Sequence, residues 1–242
     1  MARTRPRLPE PEDAYRHCEA LVAAHDRERF LATLFCPAEA RPHLHALYAY
    51  NLEIARVRDT VSQPLAGEIR LQWWRDAIAG EAAGEVAGHP VAAALLATVA
   101  ARRIPGGPLA AMGEGRIFDL YDDPMPTLVD FEGYAGETRS ALVQLAAVVL
   151  AAGRDPATAD AAGHAGVAAT VVAVLEAFPL HARRGQCYLP ADVLARHGAA
   201  PADVVAGRGG EAVGAALREM LEHARHHFAR AWAALAGAEP AA

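Results

Sequence analysis

The chain has 242 residues, of which 53% are hydrophobic and 21% charged, and its formal net charge is −6. This balance excludes an intrinsically disordered chain, which would have less apolar content, and a broad nucleic-acid-binding surface, which needs clustered positive charge. The three cysteines show neither a disulfide framework nor a paired CxxC spacing, so we expect a reducing, cytoplasmic compartment. Every basic residue is arginine, which indicates a GC-rich bacterial genome.

Apolar residues at helical spacing, separated by short breakers, run along the chain, and no convincing strand alternation accompanies them. The predicted helices lie near residues 11–25, 27–35, 38–60, 65–80, 90–103, 108–122, 127–152, 157–178, 190–197, 201–206 and 210–236. Because turns this short join antiparallel neighbours, we predict an all-α, single-domain helical bundle over residues 11–236. Residues 1–10 are expected to form a flexible basic arm and residues 237–242 a disordered tail.

The sequence predicts neither a membrane span nor a secretory signal. The longest apolar stretches, such as Ala141–Ala152, fall short of the ~20 residues that cross a bilayer. The basic residues Arg3, Arg5 and Arg7 fit a solvated terminus, which we favour, or an arm that docks on a membrane surface or a partner. We therefore expect a cytoplasmic protein, with peripheral association with the inner membrane as the alternative.

Two clusters of metal-ligating residue types need an interpretation. His223 and His227 have the i, i+4 spacing of two ligands on one helix face, but neither an HExxH glutamate nor a third ligand is close in sequence. An exposed polar stripe is therefore the favoured interpretation. Asp119, Asp122 and Asp123 have a spacing that fits a divalent ion, but we favour a solvated helix end, because Pro124 ends the helix there. No metal site is predicted.

Four segments carry motifs that need an interpretation together. Tyr48–Tyr50 opens a helix, and Arg70–Asp76 lies on the helix that follows. Ala182–Pro190 combines Arg-Arg-Gly with Tyr-Leu-Pro, and Ile117–Leu120 is followed by Tyr134–Gly136. In this order the segments resemble the first substrate-binding helix, the next helix, the arginine-rich loop and the central helices of the squalene/phytoene synthase family. The resemblance implies the isoprenoid (trans-prenyl) synthase type of bundle.

In active members of the family, aspartates four residues apart on two facing helices hold magnesium against the substrate diphosphates. Such pairs share a helix face and clamp the cations that neutralise the leaving group. The resemblance places Ala55 and Asp59, with Arg56 between them, at the first pair. It places Ala177 and His181 at the second pair. The expected consequence is that the magnesium cage is missing, so no cofactor is predicted unless the chain is an enzyme after all.

The resemblance also implies a vestigial pocket. Pro179 is expected to end the helix that would present both positions of the second pair on one face. Two interpretations are open for His181, Arg56, Arg183 and Arg184. They either contact an anion directly or only line the rim of a pocket that no longer supports catalysis, and we favour the second interpretation. Further candidate pocket residues are Tyr48, Glu53, Arg70, Trp73 and Asp119. One of Trp73 and its neighbour Trp74 is expected to face the core.

A closer resemblance is carried by the segments Asn51–Ala55, Asp59–Ser62, Ala177–His181, Leu189–Asp192 and His197–Gly198. In these segments the chain resembles a non-catalytic branch of the family that acts in assembly of respiratory complex I. The resemblance implies a non-enzymatic assembly or interaction factor whose partner is a respiratory complex subunit. Two alternatives stay open: a prenyltransferase acting on farnesyl or geranylgeranyl diphosphate with atypical Mg²⁺ binding, and a module that binds an isoprenoid ligand.

Overall fold

The computed structural model describes residues 11–82, 86 and 88–236, so the predicted basic arm and the predicted tail lie outside the described residues. The described residues form helices joined by turns and contain no strand, which confirms the all-α fold. They divide into two compact units. Among the described residues, the first unit runs up to Ile117 and includes Leu145–Pro156, and the second comprises Phe118–Gln144 and residues 157–236.

The first unit is built from helices that pack through small and aliphatic side chains. Its helices are α1 (Pro11–His25), α2 (Arg27–Thr33), α3 (Arg41–Ala55), α4 (Val57–Thr60), α5 (Pro64–Ala79), α6 (Pro90–Arg102) and α7 (Gly106–Gly115). Helix α3 packs against α1 and α6, and α5 packs against α7. The buried face of α3 carries Leu44, Leu47, Tyr50 and Ile54 at helical spacing. The Tyr50 hydroxyl donates to the carbonyl of Leu109 at 2.7 Å, which ties α3 to α7.

The second unit has two long helices as its centre. After a 3₁₀ turn (Phe118–Leu120), its elements are α8 (Leu128–Ala135), a π-helical turn (Gly136–Ser140), the start of α9 (Ala141–Leu150), α10 (Ala159–Glu176), α11 (Phe178–Arg183), α12 (Ala191–Arg196), α13 (Pro201–Val205) and α14 (Gly210–Leu235). Helices α10 and α14 pack along each other, and α10 also contacts the π-helical turn. Phe131, Val171, Leu194 and Met220 are among the residues of its core.

The helix α10 approaches the π-helical turn closely at Gly166. A Cβ atom at this position would overlap the hydroxyl oxygen, the backbone nitrogen and the Cα of Ser140. The Ser140 hydroxyl also donates to the carbonyl of Gly163, one turn earlier on α10, at 2.9 Å. Glycine at position 166 is therefore what allows the two backbones to touch.

The helix predictions are wrong in detail at three places. The helix predicted over 38–60 is interrupted at Arg56, where α3 ends and the short α4 follows. The helix predicted over 108–122 ends at Gly115. Pro179 does not simply stop a helix: α10 ends at Glu176, and Pro179 lies in the first turn of a new helix, α11. Proline is tolerated there because the first turn of a helix does not use its backbone N–H groups.

The three cysteines differ in exposure. Cys18 is fully buried in the first unit, and burial raises the pKa of its thiol to about 12. Cys187 is buried in the second unit, where burial again raises the thiol pKa. Cys36 is partly exposed, and all three are free thiols.

None of the helices that the structure describes combines the length and the apolar character needed to cross a bilayer.

Candidate functional site

A small polar cleft in the first unit brings together three of the predicted pocket residues. Glu53 from α3, Arg56 from the α3–α4 junction and Arg70 from α5 line a cavity of about 210 Å³. Leu21, Leu52 and Thr60 complete its lining. Arg70 donates to the Thr60 hydroxyl at 2.6 Å, which fixes one guanidinium at the wall. The cleft thus presents two guanidinium groups and one carboxylate.

The junction between α3 and α4 determines where the neighbouring predicted residues lie. Ala55 is the last residue of α3, and Arg56 caps it with a backbone N–H that donates to the carbonyl of Leu52. Asp59 lies on α4, is exposed, and does not line the cleft. Ala55 and Asp59 are therefore on different helices, although their i, i+4 spacing predicts one shared face.

Tyr48 and Trp73 are also in the first unit, but neither lines the cleft. The guanidinium of Arg29 lies 5.7 Å from the centre of the Tyr48 ring. Burial raises the pKa of Tyr48, and Arg29 opposes that shift. Trp73 is half-buried in a separate groove of about 400 Å³ along α5, whereas Trp74 is in the core, which confirms the expected division between the two tryptophans.

In the second unit, Asp119 is the centre of a buried polar group. Its Oδ1 accepts from the hydroxyl of Tyr188 at 2.7 Å and from that of Tyr134 at 2.9 Å. Its backbone carbonyl accepts from the side chain of Gln186 at 3.1 Å. The predicted solvated helix end is wrong for Asp119, which is only 8% exposed. Asp122 and Asp123 are exposed as expected, but they follow the 3₁₀ turn and do not end a helix. Tyr188 and Gln186 belong to the loop singled out by its Arg-Arg-Gly and Tyr-Leu-Pro pattern.

The remaining predicted residues lie on or beside α11. The backbone N–H of His181 donates to the carbonyl of Ala177 at 2.9 Å, so the two residues stay one turn apart even though Pro179 separates them. The expectation that Pro179 would remove them from a shared helical turn is therefore wrong. The His181 ring lies 4.5 Å from that of Tyr188, beside the Asp119 group, while Arg183 and Arg184 are exposed.

The histidines of α14 differ from the predicted exposed stripe. His227 is buried and His223 is half-buried, whereas His226, between them, is exposed. Glu132 of α8 reaches both buried histidines, at 2.9 Å from His223 Nε2 and 3.6 Å from His227 Nε2. Sequence reasoning found the two histidines by their spacing but missed Glu132. No local signal identifies Glu132, because only the packing of the second unit brings α8 to α14.

Comparison with known proteins determines the family. The sequence model of the family described as "Squalene/phytoene synthase" matches residues 22–242. The chain is a member of the squalene/phytoene synthase family. Its fold agrees with the squalene synthase HpnC from Alicyclobacillus acidocaldarius, at a TM-score of 0.80 and 21% identity, covering 95% of this chain and 86% of that one. A squalene/phytoene synthase fold was therefore predicted correctly.

Two relatives that are more than 30% identical to this chain are named as assembly factors and not as synthases. The chain is 34% identical over 191 residues to the rat (Rattus norvegicus) protein named NADH dehydrogenase (ubiquinone) complex I, assembly factor 6, covering 79% of this chain. It is 32% identical over 187 residues to the human (Homo sapiens) protein of the same name, covering 77% of this chain. The match spans 57% of the rat protein and 56% of the human one, so this squalene/phytoene synthase family member covers little more than half of their length.

Proposed function

We propose that this chain is a non-catalytic member of the squalene/phytoene synthase family that acts as an assembly factor for respiratory complex I. The observation that carries the proposal is the similarity to the rat and human complex I assembly factors, which extends over more than three quarters of this chain. Three solved structures with the same fold are 16–21% identical to this chain, so they support the fold and not the activity.

The chemistry of the cleft supports the proposal. Ionising an allylic diphosphate needs cations that neutralise the departing charge, and paired carboxylates hold such cations. The cleft offers Arg56 and Arg70 beside the single carboxylate of Glu53, a charge balance that repels divalent cations. Asp59 is not part of this lining, and the side chains of Ala55 and Ala177 have no ligating atom. The proposed role accordingly needs no Mg²⁺.

The proposal includes a partner and a location. The partner is a subunit of the respiratory complex, and the protein acts in the bacterial cytoplasm, peripheral to the inner membrane that holds that complex. The absence of a membrane-spanning helix among the described residues is consistent with this arrangement. Catalysis plays no part in the proposed role.

An enzymatic assay gives the first test. Purified full-length chain is incubated with radiolabelled farnesyl or geranylgeranyl diphosphate and Mg²⁺, beside an active dehydrosqualene synthase as the positive control. We expect no hydrocarbon product, because the cations have no carboxylate pair to hold them. A hydrocarbon product that Asp59→Ala abolishes would overturn the proposal in favour of a prenyltransferase.

A genetic assay gives the second test. Deletion of the gene in its host is expected to lower the amount of assembled complex I on a native gel, and the wild-type gene is expected to restore it. The Asp59→Ala variant is the matched control, because a non-catalytic factor does not need that carboxylate. Unchanged complex I together with saturable isoprenoid binding would instead identify the lipid-binding module.

A further inference from the structure

A cluster of three metal-ligating side chains lies in the second unit and includes none of the pocket residues that the sequence singles out. It consists of Glu132 on α8 and of His223 and His227 on α14, and is called here the His–Glu cluster. One ligand atom of each residue lies within 4.8 Å of the other two. It is the one such group of three among the residues that the structure describes.

The cluster brings two imidazole nitrogens and a carboxylate oxygen close enough to share one cation. His223 and His227 are one turn apart on α14, so their rings lie on the same face, with centroids 4.5 Å apart. Both Nε2 atoms lie close to the same carboxylate oxygen of Glu132, at 2.9 and 3.6 Å. The Nε2 of His223 is buried and makes no hydrogen bond. An unprotonated imidazole nitrogen and a carboxylate oxygen each offer a lone pair to a cation placed between them.

A second layer of residues orients His227. The Nδ1 atoms of His164 and His227 lie 3.0 Å apart, so the N–H of one ring donates a hydrogen bond to the nitrogen of the other. His164 Nε2 in turn faces the carboxylate of Asp160 at 3.7 Å. When His227 donates from Nδ1, its Nε2 carries a lone pair directed at Glu132. Metal-binding histidines are held in this way by a partner on their other ring nitrogen.

We propose that Glu132, His223 and His227 bind a divalent transition-metal ion of the zinc class, with at least one coordination position open to solvent. Ligand atoms of a tetrahedral zinc ion lie about 3.3 Å apart, given bond lengths of about 2.0–2.1 Å. The distances from the Glu132 oxygen to the two Nε2 atoms, 2.9 and 3.6 Å, bracket that value. Imidazole nitrogens select zinc-class ions over Mg²⁺ and Ca²⁺. The Glu132 side chain is 39% exposed, which leaves an entry path. The bound ion would link α8 to α14, and this inference does not depend on the proposed function.

Co²⁺ is the probe for this site, since its visible absorption reports the ligand set. Tag-free full-length protein, stripped with a chelator, is titrated with Co²⁺ and then with Zn²⁺. We expect one equivalent of Co²⁺ to bind, with a d–d absorption band that one equivalent of Zn²⁺ removes. Thermal unfolding followed in the same samples is expected to shift to higher temperature with either ion, because binding stabilises the folded state.

Variants separate the site from adventitious surface binding. Glu132→Gln and His223→Gln are expected to weaken Co²⁺ binding by at least about 100-fold, whereas His164→Gln weakens it by about 10–100-fold and keeps the band. His226→Gln is the matched control, because His226 is an exposed histidine of the same helical turn. Circular dichroism confirms that each variant is folded.

Three results would overturn the proposal. The first is the absence of saturable binding by the tag-free protein, which would leave the cluster as an ion pair between Glu132 and a protonated histidine. The second is an equal loss of affinity in His226→Gln and His223→Gln, which would mean that surface histidines bind the metal. The third is unchanged affinity in Glu132→Gln.

Discussion

Replacing Gly166 by alanine is expected to lower the free energy of unfolding by about 3 kcal/mol or more. The added Cβ would overlap the backbone nitrogen and Cα of Ser140 as well as its hydroxyl oxygen, so no side-chain rotation removes the clash. Helix α10 must therefore move away from the π-helical turn. Thermal unfolding is the measurement, with an expected decrease in midpoint of about 6 °C or more.

The same helix provides the control for this prediction. A Cβ at Gly163 would meet no atom within 4 Å, so Gly163→Ala is expected to be neutral or to stabilise the protein by up to about 1 kcal/mol through helix propensity. Removing the Ser140 hydroxyl in the double variant Gly166→Ala, Ser140→Ala is expected to rescue little, because the backbone overlap persists. Equal stability of the Gly166→Ala and Gly163→Ala variants would show that the two elements are not in close contact.

Asp119→Ala is expected to lower the free energy of unfolding by about 3 kcal/mol, because it removes the carboxylate oxygen that accepts from the hydroxyls of Tyr134 and Tyr188. Hydrogen bonds to a charged acceptor are the stronger kind, and this one is buried. Chemical denaturation of the purified variant measures the effect. Asp123→Ala, an exposed neighbour, is the control and is expected to change stability by less than about 0.5 kcal/mol.

A double-mutant cycle tests whether the effect comes from these hydrogen bonds. Tyr188→Phe alone removes one hydroxyl and is expected to cost about 1–2 kcal/mol. In the Asp119→Ala background the same change is expected to cost much less, because the acceptor of that hydroxyl is already gone. Additive losses would contradict the role of Asp119 as the shared acceptor.

The sequence predicted the helices well wherever apolar spacing was long and uninterrupted, as in α10 and α14. The predictions failed at the junctions between helices, because the spacing of hydrophobic residues does not reveal where one helix ends and the next begins. The break at Arg56 occurs inside a continuous helical pattern, and the first-turn position of Pro179 is compatible with either an end or a start of a helix. The π-helical turn inside the predicted helix 127–152 also leaves the apolar pattern unchanged.

The candidate sites were predictable only in part, for a different reason. The resemblance identified Glu53, Arg56 and Arg70, which meet in one cleft, but it also named Tyr48, which is elsewhere in the first unit. Helical spacing identified His223 and His227, but not Glu132, which is about ninety residues away along the chain. Contacts between distant segments follow from tertiary packing, and a single sequence does not reveal that packing.

The unequal exposure of the three thiols gives the chain a built-in reporter of local opening. A maleimide added to the native protein is expected to label Cys36 at once, since its side chain is accessible and the other two are not. Cys18 and Cys187 then become labelled only as the first and the second unit, respectively, unfold. Mass spectrometry of the alkylated peptides over time would therefore compare the opening rates of the two halves without any engineered probe.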